Sequence, residues 1–196
     1  MSTSYHHGSL RQALLDEGRR LLAEQGVAAV TMRELARRTG VSYAAPARHF
    51  PSREALLEAI ADEGFEELIE VLQASQLAGD LQQRLRAYAH AHVRFAAANG
   101  ALMELMFSRK PGSERAERPA SPATLRFFAL GAQMLGEPTP RERLGPLPYV
   151  LSGALEGISA LAAAGRLPLD RVEEVTDAAV TMMLPAIHEQ LESSTS

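Results

Sequence analysis

Apolar residues recur three and four positions apart along most of the chain, which is the spacing of one face of an α-helix. Alanine, leucine, glutamate and arginine, which favour helices, dominate the composition. The alternation of apolar and polar positions that marks strands is almost absent. The pattern therefore predicts an all-α fold of about nine helices. They cover approximately residues 9–24, 32–39, 43–49, 53–77, 81–98, 101–107, 123–135, 149–164 and 170–191.

Two of the predicted helices are short and are joined by a glycine turn. Thr31 and Glu34 form a T-x-x-E capping box that opens the first of them, and Gly40 ends it. Ser42 is a suitable N-cap for the next helix, over residues 43–49, which we call the recognition segment. With the preceding helix packed across it, such a pair is a helix-turn-helix, whose second helix enters the major groove of DNA.

The recognition segment carries small side chains. Ala44 and Ala45 would permit close approach to the groove, where alanine can contact thymine methyl groups. Pro46 removes one early backbone hydrogen bond, at a point where the helix has barely begun. We therefore expect the segment to remain helical despite the proline.

Charge and composition narrow the function further. The net charge of −4 argues against a nucleic-acid partner, but residues 1–60 hold eight arginines and only six carboxylates. The chain has no cysteine, which excludes disulfides, thiolate metal sites and cysteine nucleophiles. No signal peptide and no run of about 18 apolar residues is present, so we expect a soluble, cytoplasmic protein. Motifs of serine hydrolases, P-loop proteins, dinucleotide-binding folds and zinc peptidases are absent as well, so we expect no enzyme, no cofactor and no metal site.

The residues from Leu10 to about Phe65 resemble the DNA-binding domain of the TetR family of bacterial transcription regulators. The resemblance lies in "LLAEQGVAAVTMRELARRTGVS" followed by "RHFPSREALLEAI". It implies an N-terminal three-helix DNA-binding domain, over residues 8–68, and a C-terminal ligand-binding and dimerisation domain, over residues 78–192. It further implies a homodimer that pairs through its last two helices and binds a palindromic operator in double-stranded DNA. Members of the family usually repress transcription and leave DNA when a small molecule binds.

The resemblance also assigns contacts with DNA. It places some side chains at phosphates and others in the groove or along its walls. These residues are Thr31, Arg33, Ser42, Tyr43, Ala45, Arg48, His49 and Arg53. Ala47 departs from the family, which usually has a phosphate-binding tyrosine at this position. One hypothesis is that Tyr43 compensates from one turn earlier.

Aromatic and methionine residues cluster in the C-terminal part of the chain. Most of them are expected in the core, and a few are candidates for lining an apolar cavity. The candidates are Tyr88, Phe95, Met103, Phe107, Phe128 and Tyr149. They predict a small apolar effector molecule. His90 and His92 stand two apart and should point to different sides of their helix. The alternative function is an all-helical small-molecule-binding or adaptor protein with weakened DNA recognition, which Ala47 leaves open.

Overall fold

The computed structural model of the chain describes residues 7–75, 79–107, 119–136 and 144–193. Within these ranges it contains eight α-helices and no strand, which confirms the predicted all-α fold. The helices are α1 (His7–Gln25), α2 (Met32–Thr39), α3 (Arg53–Ser75), α4 (Leu81–Ala98), α5 (Gly100–Phe107), α6 (Pro122–Met134), α7 (Leu147–Ala163) and α8 (Val172–Ser193).

The described residues fall into two compact units. The first unit runs as far as Gly64 and also includes α5. The second unit comprises Phe65–Ala98 and the described chain from Ala120 onward, so that α3 contributes to both units. These divisions differ from the predicted domains over residues 8–68 and 78–192, which stay predictions.

The first unit is held together by apolar contacts among α1, α2, the start of α3 and α5. Its core includes leucine and isoleucine side chains that are fully buried: Leu14, Leu15, Leu35, Leu56 and Ile60. Two glycines permit close packing of helices. A Cβ atom at Gly18 would lie 2.8 Å from Ile60 Cδ1, and one at Gly64 would lie 2.7 Å from Met106 Sδ. Larger residues at these positions would require the Ile60 and Met106 side chains to shift.

In the second unit, α4 packs against both α7 and α8, and α7 also packs against α6 and α8. Two histidines of α4 point to different neighbours, as predicted from their spacing. His90 Nε2 lies 2.8 Å from Asp177 Oδ1 on α8, and the fully buried His92 places Nε2 2.7 Å from Glu156 Oε1 on α7. No helix in the described ranges is long and apolar enough to cross a lipid bilayer.

Candidate nucleic-acid interface and effector region

Thr31 sets the start of α2. Its backbone is extended, and its hydroxyl oxygen accepts a hydrogen bond from the Glu34 N–H at 3.2 Å. The Glu34 carboxylate accepts hydrogen bonds from Arg37 and Arg38, so the predicted capping box forms only through its threonine half. These guanidinium groups, Arg37 foremost, lower the pKa of Glu34 to about 2.

Gly40 turns the chain from α2 into the recognition segment. It adopts the left-handed conformation, with φ 70° and ψ 25°, which glycine reaches without steric cost. Its N–H donates to the Arg37 carbonyl at 3.4 Å, and the Val41 N–H donates to the Ala36 carbonyl at 3.0 Å. This pair of bonds is a Schellman motif. It fixes the direction in which the following residues leave α2.

The predicted helix over the recognition segment is wrong. Tyr43–Ala45 form a turn, and Pro46–Arg48 form one turn of 3₁₀ helix. In an α-helix capped by Ser42, the first backbone hydrogen bond would run from the N–H of residue 46 to the Ser42 carbonyl, and proline has no N–H. The Ala45 N–H donates to that carbonyl instead, at 2.9 Å, and the Arg48 N–H donates to the Ala45 carbonyl at 3.2 Å. Both are the shorter i→i+3 bonds of a 3₁₀ helix.

The recognition segment is anchored by Pro46 within it and by Phe50 directly after it. Pro46 is buried and Phe50 is 3% exposed, so both side chains pack into the first unit, to which the segment belongs. The Arg11 guanidinium lies 5.2 Å from the centroid of the Phe50 ring, within the range of a cation–π interaction. Next, the Ser52 hydroxyl accepts a hydrogen bond from the Ala55 N–H at 3.1 Å and caps α3.

The described arginines of the first unit differ in whether they pair with a carboxylate. Arg20, Arg37 and Arg38 each form an ion pair with a glutamate. Arg38 alone reaches Glu17, Glu24 and Glu34, and thereby joins α1 to α2. Among the described residues, Arg33 and Arg48 are exposed and have no carboxylate partner. Within the described part of this unit, cations without a carboxylate partner therefore lie on α2 and in the recognition segment.

Arg33 and Tyr43 form a contact between α2 and the recognition segment. The Arg33 guanidinium lies 5.8 Å from the centroid of the Tyr43 ring, and the Tyr43 side chain is 66% exposed. Both were predicted to contact DNA, and the structure brings them together. Thr31, Ala45 and His49 are half-buried, while Ser42 and Arg48 are exposed. The roles of these side chains toward DNA stay predictions.

The Arg53 guanidinium donates hydrogen bonds to backbone carbonyls of the same chain. Its Nε donates to the Val30 carbonyl at 2.6 Å, and its Nη2 donates to the Val27 carbonyl. Val30 is fully buried, so these bonds satisfy backbone groups between α1 and α2. The sequence gives no local sign of this role, because the partners lie 23 and 26 residues away. The same is true of Arg11, whose packing on Phe50 the sequence analysis missed.

Comparison with known families agrees with this geometry. Residues 14–60 match the model described as "Bacterial regulatory proteins, tetR family", and residues 85–185 match the model "Tetracyclin repressor-like, C-terminal domain". The chain belongs to the TetR family. The region of α1, α2, the recognition segment and the start of α3 is therefore the DNA-binding part of a TetR-family transcription regulator.

Solved structures resemble this TetR-family chain over most of its length. A protein of unknown function from Rhodococcus sp. RHA1 is 33% identical, with a TM-score of 0.73 over 94% of this chain and 98% of that one. A TetR/AcrR-family transcriptional regulator from Thermobifida fusca YX-ER1 is 24% identical, with a TM-score of 0.60 over 88% and 97%. The fatty acid degradation regulator FadR from Bacillus halodurans is 15% identical, with a TM-score of 0.63 over 87% and 94%. No curated protein matches the sequence.

The six residues predicted to line an effector cavity are divided between the two units, and their role stays a prediction. Met103 and Phe107 belong to the first unit, and the other four belong to the second. Phe128 and Tyr149 are in contact, with ring centroids 4.7 Å apart, and Tyr149 is 51% exposed. Phe95 and Tyr88 are buried, and burial raises the pKa of the Tyr88 phenol.

Two cavities of the second unit are lined by other side chains. The first, which we call the Arg84 cavity, has a volume of about 340 Å³. The second, the Asp177 groove, has a volume of about 510 Å³. The Arg84 cavity is lined by Gln73, Arg84, Leu130, Gln133 and Met134. The Asp177 groove is lined by Ser75, Gln83, Arg86, Ala87, His90, Arg94, Glu173 and Asp177.

Proposed function

We propose that the protein represses transcription as a homodimer that binds a palindromic operator and releases it when a small, largely apolar effector binds. The observation that supports DNA binding best is the pair Arg33, on α2, and Arg48, in the recognition segment, neither of which has a carboxylate partner among the described residues. Phosphate contacts from such cations supply much of the affinity for DNA.

Dimerisation through α7 and α8 is supported by apolar and small residues that these helices leave exposed. On α7, Val150 and Leu161 are 54% and 46% exposed, and Gly153 and Gly157 lie between them at helical spacing. On α8, Met182 is 81% exposed. Exposed apolar side chains that share one helix face, as on α7, are common in protein–protein interfaces. A two-fold pairing of this surface would present two recognition segments to one palindrome.

One observation favours the alternative function, a small-molecule-binding or adaptor protein with weakened DNA recognition. The recognition segment is a 3₁₀ turn with an exposed alanine at position 47, so it offers fewer side chains to DNA than a two-turn helix.

Selection of bound fragments from random or genomic DNA, followed by mobility shift at fixed salt, separates the two functions. We expect a palindromic site, and we expect the Arg33→Ala/Arg48→Ala variant to lose binding to it. Arg20→Ala is the matched control, because Arg20 is 62% exposed but paired with Glu17. A folded protein that enriches no sequence, or a double variant that binds as well as the control, would favour the alternative.

A further inference from the structure

Arg84 differs from the other described arginines of the second unit. Arg86, Arg126 and Arg171 each form an ion pair with a carboxylate. Arg94 and Arg166 have no such pair among the described residues, but both are exposed to solvent. Arg84 is half-buried, and its guanidinium makes neither an ion pair nor a hydrogen bond with any described residue. Among the described residues, this partly desolvated cation therefore lacks a counter-charge.

The surroundings of Arg84 combine hydrogen-bond donors with apolar surface. Gln73 and Gln133 are exposed at the Arg84 cavity, and each has an amide that can donate two hydrogen bonds. Leu130 and Met134 line the same cavity and are 8% and 4% exposed, so they form its buried apolar wall. No carboxylate is among these lining residues. The cavity volume of about 340 Å³ lies within the range of small-molecule sites, about 300–1,000 Å³.

The Asp177 groove has the opposite character. Its two arginines, Arg86 and Arg94, are matched by two carboxylates, Glu173 and Asp177. Arg86 donates both Nε and Nη2 to the Asp177 carboxylate, which His90 also contacts. An anion entering this groove would compete with Asp177 for Arg86 and would be repelled by Glu173. Of the two cavities, the Arg84 cavity is therefore the one whose charge suits an anion.

We propose that the Arg84 cavity binds the carboxylate group of an amphipathic small molecule. The guanidinium accommodates the two carboxylate oxygens with parallel N–H donors, a geometry that makes such pairs strong. Amide donors of Gln73 and Gln133 add to it, and the apolar part of the molecule lies against Leu130 and Met134. The carboxylate would be the charged group of the effector in the proposed function. The regulatory role of the ligand therefore rests on the proposed function, whereas its binding to the Arg84 cavity does not.

The direct test is calorimetric titration of the full-length protein, without DNA, using straight-chain carboxylates from butanoate to decanoate. At least one member of the series should bind saturably below about 10 mM. The alcohol of equal chain length should bind about tenfold more weakly, because it keeps the apolar contacts and lacks the charge. Arg84→Gln should weaken binding of the carboxylate by about tenfold or more and leave binding of the alcohol unchanged.

Arg94→Gln is the matched control, since it makes the same charge change on the same helix but lines the Asp177 groove. It should leave carboxylate binding unchanged. Circular dichroism and the melting temperature of each variant establish that both remain folded. Absence of saturable binding throughout the series would overturn the proposal. Equal losses in the two variants, or a folded Arg84→Gln protein that binds like wild type, would overturn it too.

A second experiment distinguishes failure of the proposed site from failure of the proposed function. The carboxylate that binds most tightly is added to the complex with the selected operator, and DNA release is followed by fluorescence anisotropy. Carboxylate binding that depends on Arg84 supports the site, whatever happens to the DNA. Binding without DNA release would count against ligand-controlled repression alone.

Discussion

Arg53 offers a sharp test of the structure, because the family resemblance and the observed contacts give it different roles. As a phosphate contact, Arg53 would contribute to the salt dependence of DNA binding. As the donor to the Val27 and Val30 carbonyls, it would instead stabilise the first unit. Replacement by alanine removes two charge-assisted hydrogen bonds and takes away the Arg53 donor from the carbonyl of the fully buried Val30, while the Val27 carbonyl still accepts from the Val30 N–H at 3.3 Å.

The expected loss follows from these contacts. A hydrogen bond involving a charged group contributes about 1.5–3 kcal/mol, and the Arg53 side chain is 33% exposed, so water replaces part of what is lost. We therefore expect Arg53→Ala to cost about 2–4 kcal/mol of unfolding free energy. For a chain of this size, about 2–4 °C of melting temperature corresponds to each kcal/mol. The expected decrease is about 5–15 °C, and Arg53→Lys should lose about half of it because an ammonium lacks the planar fork.

The assay combines thermal unfolding with DNA affinity measured over a series of salt concentrations. Arg53→Ala should lower the melting temperature and leave the slope of log affinity against log salt nearly unchanged, at temperatures where the variant is folded. Arg48→Ala is the control: it should leave stability within about 0.5 kcal/mol and flatten the slope by about 1 unit if the side chain contacts a phosphate. An Arg53→Ala protein with the wild-type melting temperature and a slope flattened by about 1 unit would refute the structural role.

Three further predictions concern other parts of the molecule. Ala47→Tyr should tighten binding to operator and to non-specific DNA by similar factors, up to about tenfold for each half-site, because phosphate contacts position the protein without reading sequence; a changed sequence preference would contradict this. Gly157→Glu should shift the dimer toward monomer in sedimentation while α7 stays folded, because a Cβ at this position would meet no atom within 4 Å; an unchanged dimer would place the interface elsewhere. Glu34 has its pKa lowered from 4.5 to about 2, so its ion pairs contribute stability above about pH 4.5 that is lost as the pH falls to about 2. Glu34→Gln should therefore flatten the decrease of melting temperature over this range, and an unaltered profile would exclude that contribution.

Helix boundaries were predictable where capping residues act locally. The predicted limits of α4, residues 81–98, agree with the structure, in which Asp80 Oδ1 accepts from the Gln83 N–H at 2.8 Å and Gln83 Oε1 accepts from the Asp80 N–H at 3.0 Å. This is a complete capping box. The box predicted at Thr31 and Glu34 forms only in part, because Arg37 and Arg38 compete for the glutamate. The competing partners were visible in the sequence, but the outcome depends on how their side chains are oriented.

The parts of the candidate site that sequence analysis missed depend on contacts distant in the chain. Arg53 reaches carbonyls that lie before α2, and Arg11 covers the ring of Phe50. Neither contact has a periodic signal, since each joins residues that only the tertiary fold brings together. The error over the recognition segment is different in kind. Its cause, Pro46, is local. The loss of the α-helix could have been predicted by noting that the N–H of residue 46 would donate the first helical hydrogen bond.

The 3₁₀ geometry of the recognition segment also bears on the hypothesis that Tyr43 compensates for Ala47. That idea assumes an α-helix, in which residues four apart share a face. In the observed segment the backbone hydrogen bonds connect residues three apart. Ala45 and Arg48 therefore lie on the same face of the segment, whereas Tyr43 and Ala47 do not. Tyr43 instead packs against Arg33 of α2. The two positions should therefore act on DNA independently, and the effects of Ala47→Tyr and Tyr43→Phe should add within about 0.5 kcal/mol. A larger coupling energy in the double variant would mean that both hydroxyls approach one phosphate, and that the segment becomes α-helical on DNA.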